Sequence, residues 1–407
     1  MAGALSHIRV LDLSRILAGP WASQTLADLG ADVIKVERPH IGDDTRSWGP
    51  PFVKDTAGND TELAAYYLSA NRNKQSITVD ITSQEGQRLI CALAAKSDVV
   101  IENYKVGGLQ QYGLDYASLQ SINPGIIYCS ITGFGQTGPY ASRAGYDFLI
   151  QGLGGLMSLT GRPDSEEGGG PMKVGVAVTD LLTGLYACTG ILAALAHRQT
   201  SGIGQHIDLA LLDVQVACLA NQASAYLTTA QVPTRIGNAH PSIVPYEAFP
   251  TEDGYMILAI GNDGQFGRFC AEAKHSELAA DTRFFTNQAR VENRSVLIPI
   301  LRRITIERTT ADWINALETL AVPCGPINNL ADVFADPQVR FRELQVTLQH
   351  ADLGSVPLVA SPIRLSETPV EYRLAPPALG EHTDDVLIRL LGMSGDEIQI
   401  LRENGTI

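Results

Sequence analysis

Positive charge is scarce in this sequence: 30 Lys and Arg against 44 Asp and Glu leave a formal charge of −14 over 407 residues. So acidic a chain is repelled by phosphate backbones, which argues against nucleic acid as a partner. An anionic ligand must therefore meet locally gathered Arg and Lys. Cysteine patterning is missing too. The six thiols, Cys91, Cys129, Cys188, Cys218, Cys270 and Cys324, are scattered, and none forms a CxxC pair. That argues against a metal site and a disulfide framework, and fits buried thiols in a reducing cytoplasm. The start "MAGALSHIRVLDL" has no hydrophobic signal core and no Arg-rich transit stretch. No apolar run reaches the ~20 residues of a membrane span. The expectation is a soluble, cytoplasmic protein with no membrane partner. Internal repeats are absent, and the one low-complexity segment is the polar loop "GRPDSEEGGGP".

What is present is a βαβ rhythm. Residues 8–38, "IRVLDLSRILAGPWASQTLADLGADVIKVER", read as a strand (Ile8 to Leu13), a Gly-Pro turn, a helix (about Trp21 to Leu29) and a strand (Val33 to Val36). "SITVDI", "DVVIEN" and "GIIYCSITG" continue the strands, with helices "SQEGQRLICALAAKS" and "DYASLQSIN" between them. The strands are apolar runs rather than alternations, as in a parallel sheet covered on both faces. The fold class is α/β: a large doubly wound, Rossmann-like domain plus a smaller α+β domain. The large domain is assigned to 1–210 and 331–407, the small one to 225–330, and a linker to 211–224. "HTDDVLIRLLG" reads as the final helix.

Two motifs call for chemistry. "GFGQTG", residues 133–138, matches G-x-G-x-x-G after a strand. Yet Pro139 follows, no helix opens on the glycines to receive a pyrophosphate, and the acidic residue expected after the next strand is missing. A tight turn near a site is the better reading. In "TDLLTGLYACTGILAALAH", apolar residues at 181, 182, 185, 188, 191, 192 and 195 have helical spacing, with Asp180 at the helix start. Asp180 there is either a plain N-cap or an ionised nucleophile near backbone N–H groups. Position alone does not choose.

The N-terminal "VLDLSRILAGPWASQTLADLGADVIKVERP" strongly resembles the class III CoA-transferase family, also called the formyl-CoA transferase or carnitine CoA-transferase family. The likeness continues through "GDDTRSWGPPF", "YYLSANRNKQSI", "VVIENYKVGGLQQYGLDY", "CSITGFGQTGPYASRAGYD", "GVAVTDLLTGLYA", "SGIGQHIDLALLD", "VPCGPI" and "PALGEHTDDVL". It implies that Asp180 is the catalytic nucleophile, passing through an aspartyl-CoA thioester. It implies CoA contacts from Leu17, Ala18, Arg38, Asn73, Lys74, Asn103 and Arg143. It also implies that chains interlock in a ring-like homodimer. CoA and acyl-CoA are substrates, and no permanently bound cofactor is expected.

Substrate candidates are Arg46, Arg72, Tyr146, Asp147, Gly237, Asn238 and His240, with Arg235 as a further guanidinium for a distal carboxylate. Asp147 has a second possible role as a hydrogen-bonded helix cap, and "GNAHPS" stands where the family has a glycine-rich loop. Segments such as "SIVPYEAF", "GNDGQF" and "CGPINN" look most like members acting on dicarboxylates. The resemblance thus implies succinyl-CoA or glutaryl-CoA as donor and glutarate, hydroxymethylglutarate, itaconate or similar as acceptor. The family's racemases are disfavoured because Tyr146 stands where they carry His, and tyrosine is a poor base at neutral pH. A non-catalytic acyl-CoA-binding protein is the remaining alternative.

Overall fold

The computed structural model describes residues 3–350 and 353–407. The chain divides into two compact units, Met1–Gly155 with Val174–Ser224 and Pro337–Ile407, and Leu156–Lys173 with Ala225–Asp336. Residues 211–224, read as a linker from sequence, cluster with the first unit and open with the helix Leu211–Ala217. The polar loop around Gly161–Gly170 clusters with the second unit. Neither assignment is visible in composition, because both depend on contacts far along the chain.

The first unit is built on a six-stranded parallel sheet: β1 Arg9–Asp12, β2 Asp32–Glu37, β3 Lys74–Thr78, β4 Val99–Glu102, β5 Ile127–Thr132 and β6 His206–Ala210. Their order is β3-β2-β1-β4-β5-β6, so the winding reverses between β1 and β4. Successive residues leave a strand on opposite faces. Leu11 and Ile34 join a core with Leu89, Leu93 and Leu387, while Val10 and Val33 join another with Ala22, Leu26 and Ile191. Both faces are therefore apolar, which explains the unbroken hydrophobic runs. β6 escaped the reading by period because "HIDLA" is an edge strand, mostly half-buried, and looks like a polar loop.

Helix α1 spans Ala18–Asp28, three residues earlier than read from sequence, because Pro20 fits the first turn where its missing N–H costs nothing. Helix α2 is Gln84–Ala94, capped by the Ser83 side chain on the Gly86 N–H. Helix α3 is the short Asp147–Leu153, and α4 is Val178–Ser201. At 24 residues, with a mean hydropathy of 1.5 over its most apolar window, α4 has the length and composition to cross a membrane. That corrects the count of apolar runs made from sequence. Its buried side, including Ala187, Ile191 and Ala194, packs into the core beside α1, and Cys188 Sγ donates to Ala22 O at 3.2 Å. The last helix is Gly395–Glu403, with a Ser394/Glu397 capping box; "HTDDVLIRLLG" instead gives Thr383–Val386 and a π-turn at Leu387–Leu391.

The second unit holds a three-stranded antiparallel sheet with Tyr255–Ala259 central between Tyr246–Pro250 and Cys324–Pro326. Helices Asp263–Glu272, Arg294–Thr305 and Thr310–Thr319 accompany it, around a core that includes Phe249, Phe266, Leu301 and Trp313.

Candidate active site

A cavity of about 890 Å³ opens at the carboxyl ends of the parallel strands. Each strand delivers the residues that follow it to the wall: Ser14–Ala18 after β1, Arg38–Asp44 after β2, Val79–Thr82 after β3, Asn103–Val106 after β4, Gly133 after β5 and Leu211 after β6. This is where ligands gather in open parallel sheets, at the crevice where strand order reverses. Asn103 closes that crevice, accepting from Arg15 N–H at 2.9 Å and donating to Arg15 O at 2.7 Å.

The floor is a set of buried ion pairs. Lys35 donates to Asp43 at 2.8 Å and to Ser14 O at 3.0 Å, with both partner side chains fully buried. Burial pushes the Asp43 carboxyl upward, but Lys35 holds it down at about 2. Asp43 in turn accepts the N–H of Ile16, a β-branched residue at φ 72° on the cavity wall. The pair thus fixes a strained loop against the ligand side of α1. Arg38, Lys105 and Arg143 are exposed cations on the same wall, Arg143 lying 4.4 Å over the Tyr140 ring.

Asp180 reaches the cavity from the first turn of α4. It does not cap that helix: the N-cap is Ala177, which offers no side chain. Asp147 caps it from outside, accepting from Thr179 N–H at 2.8 Å and Asp180 N–H at 3.4 Å. Burial, and then the like charge of Asp147, push the Asp180 carboxyl up to about 7. This corrects the expectation that the helix terminus keeps Asp180 ionised. The N–H groups that would have done so face Asp147 instead.

A family model for CoA-transferase family III matches residues 5–383. The chain belongs to CoA-transferase family III. This transferase is 54% identical to succinate–glutarate CoA-transferase of Agrobacterium fabrum, over 95% of each chain. It is 45% identical to human succinyl-CoA:glutarate CoA-transferase, over 99% of this chain and 90% of that one. The crystal structure of a CAIB/BAIF family protein from Brucella suis superposes with a TM-score of 0.85 at 51% identity, covering 96% of this chain and all of that one.

In the transferase, Leu17, Ala18, Arg38, Asn103, Arg143, Tyr146 and Asp180 share the cavity wall. Five other residues expected at substrate or CoA are engaged elsewhere. Arg46 is buried in a bidentate pair with Glu37, at 2.9 and 2.8 Å, and donates to Tyr67 Oη and Pro377 O. Arg72 is paired with Asp28 and donates to Val359 O. Asn73 donates to Asp28 and Glu371 O and accepts from Arg373 and Leu374 N–H. Lys74 is fully buried, donating to Asn71 and Pro20 O at 2.9 Å, and burial pushes it down to about 7. Asp147 faces the α4 terminus and is not on the cavity wall. A basic residue in a motif looks the same whether it meets a ligand or a buried carboxylate two strands away.

Gly237, Asn238, His240 and Arg235 belong to the second unit. There Arg235 pairs with Asp164, Gly237 N–H donates to Gly161 O, and the His240 ring accepts from Ser242 N–H at 3.1 Å. Sequence reading missed Ile16, His40, Lys105 and Tyr112 on the wall. It also missed Tyr66, whose hydroxyl burial and then Asp180 and Asp147 push up. Lys105 had a signal, being in the loop after a strand; Tyr66 had none. The "GFGQTG" turn directs Gln136 N–H to the Asp208 carboxylate at 3.0 Å, and no helix begins until Asp147.

Proposed function

We propose that this CoA-transferase moves CoA from succinyl-CoA or glutaryl-CoA to a dicarboxylic acid, of which glutarate is the leading acceptor and hydroxymethylglutarate and itaconate are further ones. The observation that carries the reading is Asp180, a carboxyl on the wall of a cavity rimmed by Arg38, Lys105 and Arg143 in an otherwise acidic protein. The named activities of the Agrobacterium and human relatives supply the substrate class. Exposed guanidinium and ammonium groups suit the phosphates of CoA, and Leu17 and Ala18 give an apolar wall beside them.

In this scheme an Asp180 carboxylate oxygen attacks the thioester carbonyl and the C–S bond breaks, giving a mixed anhydride and CoA thiolate. The thiolate attacks the aspartyl carbonyl, the C–O bond breaks, and the first acid leaves as its carboxylate. An aspartyl-CoA thioester remains. The acceptor carboxylate then reverses the sequence and leaves as its CoA ester, restoring Asp180. Protons balance at every step, and Asp180 with the substrates carries every group, so the scheme needs no further cofactor. A carboxyl poised near 7 is a stronger nucleophile once ionised than an ordinary aspartate, because its negative charge is poorly solvated.

The active form is proposed to be a homodimer. Phe148, Leu149, Leu153, Leu185, Tyr186 and Leu192 on α3 and α4 are large apolar side chains exposed in the single chain. Such a face is what a second copy covers. The decisive experiment is incubation with succinyl-CoA and glutarate followed by hydroxylamine trapping and peptide mapping. A hydroxamate at Asp180 and loss of exchange in Asp180→Ala are expected; normal exchange in that variant removes the mechanism.

A further inference from the structure

The residue that caps the nucleophile's helix is held in place by a buried polar network that the transfer scheme does not use. Asp147 Oδ1 accepts from Gln151 Nε2 at 2.6 Å, and Gln151 Oε1 accepts from Val174 N–H at 2.9 Å. Thr179 Oγ1 donates to Gln215 Oε1 at 2.7 Å, while its N–H donates to Asp147. Gln151 and Thr179 are 0% exposed and Gln215 1%. A buried amide engaged at both ends, as Gln151 is, fixes one geometry, since a rearrangement leaves a donor or acceptor unpaired. Three elements meet here: α3 brings Asp147 and Gln151, the helix Leu211–Ala217 brings Gln215, and the segment 174–180 receives all three.

Asp147 is in turn set by a pinch in the preceding loop. Gly133 and Gly145 approach so closely that a Cβ on either would fall 2.4–2.6 Å from the other's Cα. Tyr146 and Asp147 follow at once, so the pinch aims them.

We propose that Asp147 is a positioning residue for Asp180 and not a substrate contact: held by Gln151, its carboxylate caps the first turn of α4 and keeps the nucleophile facing the cavity. The inference rests on the reading of Asp180 as nucleophile. The N2 and N3 N–H groups of a helix have no partner within it, and a carboxylate is their strongest acceptor. With the terminus occupied by Asp147, Asp180 feels a like charge in place of bare N–H donors. The charged and titratable groups facing Asp180 are Asp147 on α3 and Tyr66 on Ala65–Leu68, with Arg143 and Tyr146 along the same cavity wall. Of these, Asp147 is the like charge that acts on Asp180.

The test is the pH profile of kcat/KM for succinyl-CoA with glutarate in wild type, Asp147→Asn and Asp147→Glu. Asn keeps an acceptor oxygen for the helix and removes the charge. Its acid limb is expected about one pH unit lower than wild type, with kcat reduced about 10-fold or more and both KM values within twofold. Glu restores the charge and is expected to return the limb towards wild type. A raised glutarate KM with an unmoved limb makes Asp147 a substrate contact; a uniform loss with an unmoved limb makes it merely structural. Either overturns the proposal. Should Asp147→Asn fail to fold, Gln151→Met leaves the charge and removes its holder. A fall in kcat with unchanged KM values is then expected, and a changed glutarate KM overturns the proposal. Exchange surviving in Asp180→Ala would instead sink the nucleophile reading itself, so the two failures are distinguishable.

Discussion

A carboxyl whose folded-state pKa lies above its unfolded value weakens the protein whenever it is ionised. For Asp180 the two values are about 7 and 3.8, so the folded state binds the extra proton between them and stability falls as pH rises through that window. Asp180→Asn removes this loss. The variant is expected to melt about 2–4 °C above wild type at pH 8 and to match it near pH 4, as read by calorimetry. An inactive yet more stable variant is the pattern of a residue kept for chemistry. Arg72 behaves oppositely. Burial raises the Asp28 carboxyl even with Arg72 beside it, and losing the guanidinium strands an acid in the interior. Arg72→Met is expected to cost about 3–5 kcal/mol in urea unfolding while leaving KM for both substrates unchanged in the folded fraction. Had Arg72 held a distal carboxylate, the KM would rise instead.

At the scale of elements, the loop between β1 and α1 is fixed by one ion pair reaching up from β2. Lys35 and Asp43 together hold Ser14 O and the Ile16 N–H, which keeps Ile16 left-handed beside Leu17 and Ala18. Asp43 is held at about 2, so its contribution is complete above 3.8 and lost only as pH falls towards 2. Lys35→Met loses it at neutral pH. The expected result is a destabilisation of about 3–5 kcal/mol and weaker acyl-CoA binding, the latter followed by calorimetric titration. The loop from Gly133 to Gly145 depends on backbone contact in place of charge. Gly133→Ala is expected to lower the melting temperature by several degrees and reduce kcat, since the displaced segment carries Tyr146 and Asp147. The expected substrate contacts Arg46 and Arg72 and the expected CoA contacts Asn73 and Lys74 are engaged with buried partners at this scale. They lie on or beside neighbouring strands, and strand neighbours are not sequence neighbours.

For the whole molecule, α4 raises the question of what covers it. One side is core, while Leu185, Tyr186 and Leu192 on the other are 38–47% exposed. Leaving so apolar a helix bare in water is unfavourable by about 25 cal/mol per Å². Wild type is expected to sediment as a dimer, and Leu185→Asp with Tyr186→Asp to shift it to monomer; a monomeric wild type would assign that face another role. In the proposed dimer the same helix would tie oligomer to chemistry, since its first turn bears Asp180 and its later turns bear the exposed side.

Local pattern alone determined the parallel sheet, the α/β class and a helix with Asp180 in its first turn, because a strand covered on both faces and an amphipathic helix each leave their period in the residues. The motifs determined the family. Tertiary structure decided which side chain receives the α4 N–H groups, which basic residues pair inside and which face the cavity, and that "HIDLA" closes the sheet. Those outcomes depend on partners tens to hundreds of residues away: 32 between Asp147 and Thr179, 44 between Asp28 and Arg72. Burial and charge both come from tertiary neighbours and are indifferent to sequence order, so the ionisation of Asp180 is settled first by the burial the fold gives it and then by Asp147.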